Sequence, residues 1–179
     1  MNSLNAEALF SELSNARHPL PLYKSAIADF NRTLESQFRE GVSANQLLKE
    51  RAAFMDFIMR SAWARFEWNE NLSSWRKSRI SLLAVGGYGR AELHPFSDID
   101  LLTLLERSNY DLHRDNIQSF LALLWDIGLE VGHSVRSVKE CRIQADNDVT
   151  VLTALMEART LFGDCLLYTS PSPRDGLLS

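Results

Sequence analysis

The sequence has few cysteines and no long apolar run, and both absences exclude classes of protein. Only Cys141 and Cys165 occur among the 179 residues, far apart and in no metal-ligand spacing. A disulfide framework is therefore not expected, and a reducing, cytoplasmic setting is. The amino terminus lacks the basic start and apolar stretch of a signal peptide. Because no apolar run is long enough to span a bilayer, we expect no membrane partner.

The chain also lacks an excess of basic residues. It has 19 Lys and Arg against 23 Asp and Glu, which gives a net charge of −4, so a general nucleic-acid binder is not expected. Hydrophobic residues make up 45% and charged residues 23%, the usual balance of a globular protein. A nucleotide substrate remains compatible with this charge, because a divalent cation can supply positive charge locally.

Several motifs that bind phosphate or carry a nucleophile are absent as well. No Gly-Lys-Ser/Thr occurs, which excludes a P-loop. A dinucleotide fingerprint that began at Gly87 would need a small residue where Glu92 stands. No serine occupies a Gly-x-Ser-x-Gly elbow. Any phosphate chemistry must therefore rest on another arrangement.

Residues 1–78 are predicted to form a helical amino-terminal region. A first helix is expected to end at His18-Pro19, and a second to run from about residue 21 to residue 39. Ser43 with Gln46 three residues later is a capping-box signature that opens a third helix. Aromatic residues recur along it at a spacing that favours the core over a binding surface; they are Phe54, Phe57, Trp63, Phe66 and Trp68.

Residues 79–165 have the pattern of a small α/β domain. Short apolar runs predict strands at 80–85, 99–105 and 129–138. Helices are predicted at 110–127 and 149–161, and Ser137 with Glu140 forms a further capping box. The last stretch, 166–179, shows no periodicity and resembles translated adapter sequence or a flexible tail. It is expected to be non-native or disordered.

The constellation that indicates chemistry is a double glycine followed by two aspartates. Gly86 and Gly87 end the first predicted strand, and Asp98 and Asp100 begin the second. Residues separated by one position on a strand point to the same side, where two like charges repel. A divalent cation removes that repulsion, and hard carboxylate oxygens suit Mg²⁺ or Mn²⁺. The sequence therefore predicts a metal site facing a phosphate-binding turn. The alternative is a glycine-rich turn beside a solvated acidic turn.

Further candidates flank this constellation. Arg90 follows the glycines and would bind triphosphate oxygens or form a surface salt bridge. Ser97 would cap the turn before the first aspartate or contact phosphate. Glu130, at the start of the third predicted strand, would be a third carboxylate, as base or metal ligand, or a solvent-facing residue. Arg159 is expected to be structural, and His133 to be a packed or surface residue.

Three runs of residues resemble the signature of bacterial protein-PII uridylyltransferase/uridylyl-removing enzymes. They are residues 86–102 (GGYGRAELHPFSDIDLL), residues 125–136 (WDIGLEVGHSVR), and residues 153–159 (TALMEAR) with the Gly-Asp pair at 163–164. The resemblance implies a polymerase β-like nucleotidyltransferase fold, UTP as the donor, and a tyrosine hydroxyl of the PII nitrogen-signalling protein as the acceptor.

The sequence departs from that family in one respect that bears on function. Its four histidines are followed by Pro19, Pro95, Arg114 and Ser134, so the His-Asp pair of the family's hydrolytic domain is missing. We expect a fragment that adds uridylyl groups without removing them and that lacks the regulatory ACT domains. The rival hypotheses are a relative that transfers AMP, and a non-catalytic domain that senses a nucleotide.

Overall fold

A computed structural model describes most of the chain. The described residues are 3–68, 80–95, 97–106 and 110–163. The predicted tail at 166–179 and the predicted boundary between residues 78 and 79 lie outside them. Within these ranges, no helix combines the length and apolar character that a membrane span requires.

Three helices make up the amino-terminal part: α1 (Ser3–Asn15), α2 (Pro19–Arg39) and α3 (Ala44–Trp63). Proline suits the first position of α2, since its missing N–H would have no helical partner there. At the start of α3, Ser43 Oγ accepts a hydrogen bond from the Gln46 backbone N–H at 3.3 Å. The Gln46 side chain donates to Glu50 instead of turning back, so only half of the predicted capping box forms.

The aromatic residues of α3 pack into the core, as their spacing predicted. Phe54 stacks on Phe30 of α2 with ring centroids 3.9 Å apart. Trp63 is fully buried, stacks on Trp68 at 3.6 Å, and meets the edge of Phe120 at 5.1 Å. Because these contacts join α3 to residues on both sides of it in sequence, the helical part and the sheet share one hydrophobic core.

The second part is built on a mixed four-stranded sheet of order β3-β2-β1-β4. Its strands are β1 (Ile80–Ala84), β2 (Ile99–Leu105), β3 (Val131–Ser137) and β4 (Arg159–Phe162), with β1 antiparallel to both neighbours and β2 parallel to β3. Its helices are the short α4 (Gly86–Gly89), α5 (Arg114–Asp126), α6 (Val138–Asn147) and α7 (Val149–Met156). A 3₁₀ turn at Tyr110–Leu112 precedes α5. The predicted α/β class, with a helical region ahead of the sheet, is confirmed.

The predicted helix at 149–161 is wrong at its carboxyl end. Helix α7 ends at Met156, and Arg159–Phe162 form β4 against β1. Pairing with β1 satisfies backbone groups that would otherwise lie at an open sheet edge, and it buries Leu161 in the core. Gly163 closes the strand at a φ of +97°. Sheet pairing overrides the local helical pattern here.

The capping box predicted before α6 is present in full. Ser137 Oγ accepts from the Glu140 backbone N–H at 3.2 Å, and Glu140 Oε2 accepts from the Ser137 backbone N–H at 2.6 Å. These bonds lower the pKa of the Glu140 carboxyl, first through the Ser137 hydroxyl. The helix therefore begins directly at the end of β3, which fixes where that strand leaves the sheet.

Candidate active site

The double glycine forms a tight helical turn, α4, that leaves the end of β1. Gly89 N–H donates to Val85 O at 3.0 Å, and Arg90 N–H donates to Gly86 O at 3.2 Å. Gly86 has a φ of +58°, which an L side chain rarely adopts. Gly87 has no positive φ, so the special backbone conformation belongs to the first glycine of the pair. The first turn of a helix leaves N–H groups without helical partners, and these attract anions.

The two predicted aspartates lie together at the start of β2. Asp98 directly precedes the strand, and Asp100 is the exposed position of an otherwise buried β2. Partial burial raises the pKa of the Asp100 carboxyl, and the neighbouring Asp98 carboxylate raises it further. The second of these causes is the one expected where two like charges lie on one side of a strand.

Two glycines make room for the Asp100 carboxyl group. A Cβ at Gly86 would lie 3.2 Å from Asp100 Oδ2, and a Cβ at Gly132 would lie 2.6 Å from Oδ1. Gly132 pairs with Asp100 across the parallel strands β2 and β3. It is absent from the sequence-based candidates, although a glycine inside a strand pattern signals a close approach of another group.

An open pocket of about 470 Å³ joins the turn to the acidic residues. Its lining includes five of the predicted site residues: Gly87, Arg90, Ser97, Asp98 and Asp100. The backbone N–H of Ser97 donates to His94 O at 3.2 Å, which closes the turn that leads into Asp98. Folding thus brings the glycine turn and the aspartates to one concave surface.

Arg90 lies at the rim of this pocket and has two carboxylate partners. Its Nε is 2.9 Å from Glu92 Oε2, and another guanidinium nitrogen is 2.6 Å from Glu157 Oε2. Both hydrogen bonds raise the pKa of the guanidinium, that to Glu92 most. The side chain remains 45% exposed. Arg90 therefore forms the surface salt bridge that was one of its two predicted roles, and its charge also lies beside the pocket.

Glu130 stands apart from the other candidates. It is exposed just before β3, and its carbonyl accepts from Ile99 N–H at 3.0 Å. Glu130 directly precedes Val131, whose partner in the parallel register is Ile99, the residue after Asp98, but Glu130 is not among the pocket-lining residues. In the part of the chain that the structure describes, no three acidic, histidine or cysteine side chains are grouped to hold a metal. Its role as third carboxylate stays a prediction.

The acidic pair suits a hard divalent cation. Carboxylate oxygens are preferred ligands of Mg²⁺ and Mn²⁺. Burial is the main cause of the raised pKa of Asp100, and a cation would relieve the second cause, the repulsion from Asp98. The two glycines leave the space in which the Asp100 carboxyl group sits. Asp98 and Asp100 would hold the ion, with its remaining coordination left to water and substrate oxygens.

His133 is a packed residue, as the sequence analysis expected. Its Nε2 lies 3.0 Å from Thr103 Oγ1 on the neighbouring strand. Burial lowers the pKa of the imidazole to about 4, because the charged form is disfavoured away from water. The ring is therefore neutral at pH 7, and its contact with Thr103 ties β3 to β2.

Comparison with known proteins agrees with this geometry. Residues 68–152 match the nucleotidyltransferase domain family. The chain is 50% identical over 153 residues to a bifunctional uridylyltransferase/uridylyl-removing enzyme of Stutzerimonas stutzeri strain A1501, and 48% identical to one of Azotobacter vinelandii strain DJ. Each match covers 86% of this chain and 16% of the relative. The chain thus spans less than a fifth of the length of these relatives.

Proposed function

We propose that this chain, whose residues 68–152 match the nucleotidyltransferase domain family, transfers UMP from UTP to a tyrosine hydroxyl of the PII nitrogen-regulatory protein. The observation that carries this proposal is the pocket in which the exposed Asp98 and Asp100 face the glycine turn. The names of the similar proteins support uridylyl transfer as the reaction. The resemblance of residues 86–102 and 125–136 to the PII-modifying family supports the acceptor.

Each part of the pocket would have a distinct role. The first N–H groups of α4, from Gly86 and Gly87, would donate to phosphate oxygens, as helix starts do. Asp98 and Asp100 would hold Mg²⁺ or Mn²⁺, which when bound would offset negative charge on the triphosphate and on the attacking and leaving oxygens. Arg90 and Ser97 would lie along the triphosphate at the rim of the pocket.

The reaction is an in-line displacement at the α-phosphorus. The tyrosine oxygen of the acceptor forms a bond to that phosphorus while the bond to the bridging oxygen of pyrophosphate breaks. The hydroxyl proton passes to a general base, a role that we assign to Glu130 because it precedes Val131 as Asp98 precedes Ile99, and these two following residues are strand partners. Uridylyl-PII and pyrophosphate are the products.

The test is a transfer assay with the purified chain, labelled UTP, Mg²⁺ and PII protein. We expect label on PII, release of pyrophosphate, and weaker competition from ATP than from unlabelled UTP. Preference for ATP would contradict the donor, and Mg²⁺-dependent binding of UTP without transfer would favour a sensing domain. Because the sequence contains no His-Asp pair, premodified PII should lose no label above background. Release of UMP would contradict that part of the proposal.

A further inference from the structure

A charged pair packs against the side of the glycine turn that faces the protein interior. Asp56 on α3 is an ion-pair partner of Arg159 on β4, and its side chain is only 15% exposed. Two guanidinium nitrogens contact the two carboxylate oxygens, one of them at 3.0 Å. Such bidentate pairs are among the strongest and most directional polar contacts in proteins. Residues 103 positions apart are thereby joined directly behind the turn.

Both members of this pair also contact the turn itself. Arg159 donates to the backbone carbonyls of Tyr88 at 3.2 Å and of Gly89 at 3.3 Å. The Tyr88 hydroxyl donates to Asp56 Oδ1 at 2.8 Å, and the Arg159 guanidinium lies 5.6 Å from the centre of the Tyr88 ring. The turn is therefore bonded to α3 and β4 through main chain and side chain together.

These contacts are made at the carboxyl end of α4. The last carbonyls of any helix have no helical N–H partner, and a cation there also opposes the negative end of the helix dipole. A helix of four residues, Gly86–Gly89, is far too short to be stable alone. Arg159 donates to two of these carbonyls, Tyr88 O and Gly89 O, and Tyr88 O also accepts from the Ala91 backbone N–H at 3.1 Å. Asp56 holds Arg159 in place. Gly87 and Tyr88 of the same short helix line the pocket.

We propose that Asp56 and Arg159 are positioning residues that hold the glycine turn in the shape in which it lines the pocket beside Asp98 and Asp100, where the nucleotide would bind. This inference rests on the proposed function for the identity of the ligand. Neither side chain is among those that line the pocket, so both would act through the turn. The helical amino-terminal part would then contribute to nucleotide binding through Asp56, from a position behind the site.

The test compares Asp56→Asn with Asp29→Asn, the same substitution in an exposed ion pair of α2 with Arg32. Amide hydrogen exchange would be followed at Gly89 and Arg90, whose N–H groups close the turn. We expect Asp56→Asn to speed exchange at these two amides at least about tenfold. It should also raise the Kd of the folded protein for UTP–Mg²⁺ about tenfold, since the loss of a charge-assisted hydrogen bond is of this order. Asp29→Asn should change neither.

Two results would overturn the proposal. One is exchange at Gly89 and Arg90 that equals that of the Asp29→Asn control, and the other is faster exchange with unchanged UTP affinity. If Asp56→Asn does not fold, Tyr88→Phe removes only the hydroxyl bond to Asp56, and it should raise both quantities to a smaller extent. Parent protein that binds no UTP–Mg²⁺ would refute the proposed function, whereas the exchange measurement would still decide whether the pair shapes the turn.

Discussion

Two aspartates lie on opposite sides of the glycine turn, and their electrostatic surroundings differ. Asp100 faces an open pocket, and the nearby Asp98 carboxylate contributes to its raised pKa. Asp56 faces the interior, pairs with Arg159 and accepts a hydrogen bond from Tyr88. A carboxylate that already has a cation partner can stabilise the fold, whereas a like-charged pair in an open pocket suits an added cation. Opposite roles are therefore expected for these residues.

The largest expected effect comes from removing a carboxylate on the side of the turn that faces the pocket, here called the open side. Asp98→Asn and Asp100→Asn should each lower transfer at least about 100-fold, which corresponds to about 2.7 kcal/mol of transition-state stabilisation. Without metal, the thermal midpoint of each variant should be unchanged or slightly higher, because the replacement removes a repulsion. Transfer rates with Mg²⁺ and metal-free melting curves measure the two effects separately.

The matched variant on the interior side of the turn is Asp56→Asn. Its thermal midpoint without metal should change in the opposite direction. Removing one partner of a partly buried pair leaves the other without its counter-charge, so the metal-free thermal midpoint should fall. Near-normal transfer in both Asp98→Asn and Asp100→Asn would contradict the difference in role between the pocket aspartates and Asp56. A clear loss of metal-free stability in those two variants would do the same.

His133 is a third case to compare with Asp100 and Asp56. It is an ionisable residue whose contact, Thr103, is neutral. Its folded pKa of about 4 lies below the ordinary value of 6.5, so the unfolded chain takes up the proton first as pH falls. The contribution of neutral His133 to the free energy of unfolding is therefore fully present above pH 6.5 and is lost as the pH falls towards 4. At pH 5 the parent should have lost about 2 kcal/mol relative to pH 7 through this residue.

Urea unfolding of the parent and of His133→Gln at pH 7 and pH 5 measures that contribution. The variant should lose about 2 kcal/mol less than the parent over the interval, because the other titrating groups are common to both proteins. Equal losses would mean that the imidazole titrates near its ordinary value, and would contradict its burial beside Thr103.

A smaller effect is expected from Gly132, which affects the open side indirectly. In Gly132→Ala, the new Cβ would lie 2.6 Å from Asp100 Oδ1, so the carboxyl group must move. Displacing a residue that orients a ligand typically weakens metal binding by about 10-fold or more. Titration with Mn²⁺ should show this loss. Gly128→Ala is a poor control because the φ of Gly128 is +89°. Ala145→Gly on α6 is the better control, since it changes one methyl group at a residue that does not line the pocket. Unchanged Mn²⁺ affinity would mean that Gly132 does not position Asp100.

Local chemistry made much of the site predictable from the sequence. The geometry of the double glycine and of the Asp98–Asp100 pair is determined within a few residues, and Gly87, Asp98 and Asp100 all line the pocket. The Ser137–Glu140 capping box is similarly local and is present in full. Patterns of this kind are predictable because the atoms that interact are close in sequence.

Long-range pairing was not predictable in the same way. Residues 159–161 were predicted as the end of a helix but belong to β4, since their partner is β1, about 80 residues earlier. The contact of Asp56 with Arg159 spans 103 positions, and no local signal marks it. Gly132 could have been suspected from its place inside a strand, but its partner Asp100 follows only from the parallel register of β2 and β3.

The smallest expected effect tests the turn between the two sides. Each glycine of the turn would respond differently to a methyl group. A Cβ at Gly89 would lie 2.4 Å from Glu157 O, and Gly86 has a φ of +58°, so alanine at either position should destabilise the protein. At Gly87, the nearest atoms to a Cβ are Glu92 O at 3.4 Å and an Arg90 guanidinium nitrogen at 3.8 Å. These are ordinary contacts.

Gly87→Ala is therefore the one substitution in the turn that should leave folding intact and change only the face towards the pocket. Its methyl group would hinder phosphate oxygens from approaching the N–H groups, and loss of one such hydrogen bond, about 1 kcal/mol, weakens UTP–Mg²⁺ binding about fivefold. The nucleotide-free thermal midpoint should match the parent, while Gly89→Ala should lower it. Since the protein side accommodates the methyl group, any loss of affinity must arise in the pocket. Parent-like affinity in Gly87→Ala would show that phosphate lies elsewhere, and the open side would then be defined by the aspartates alone.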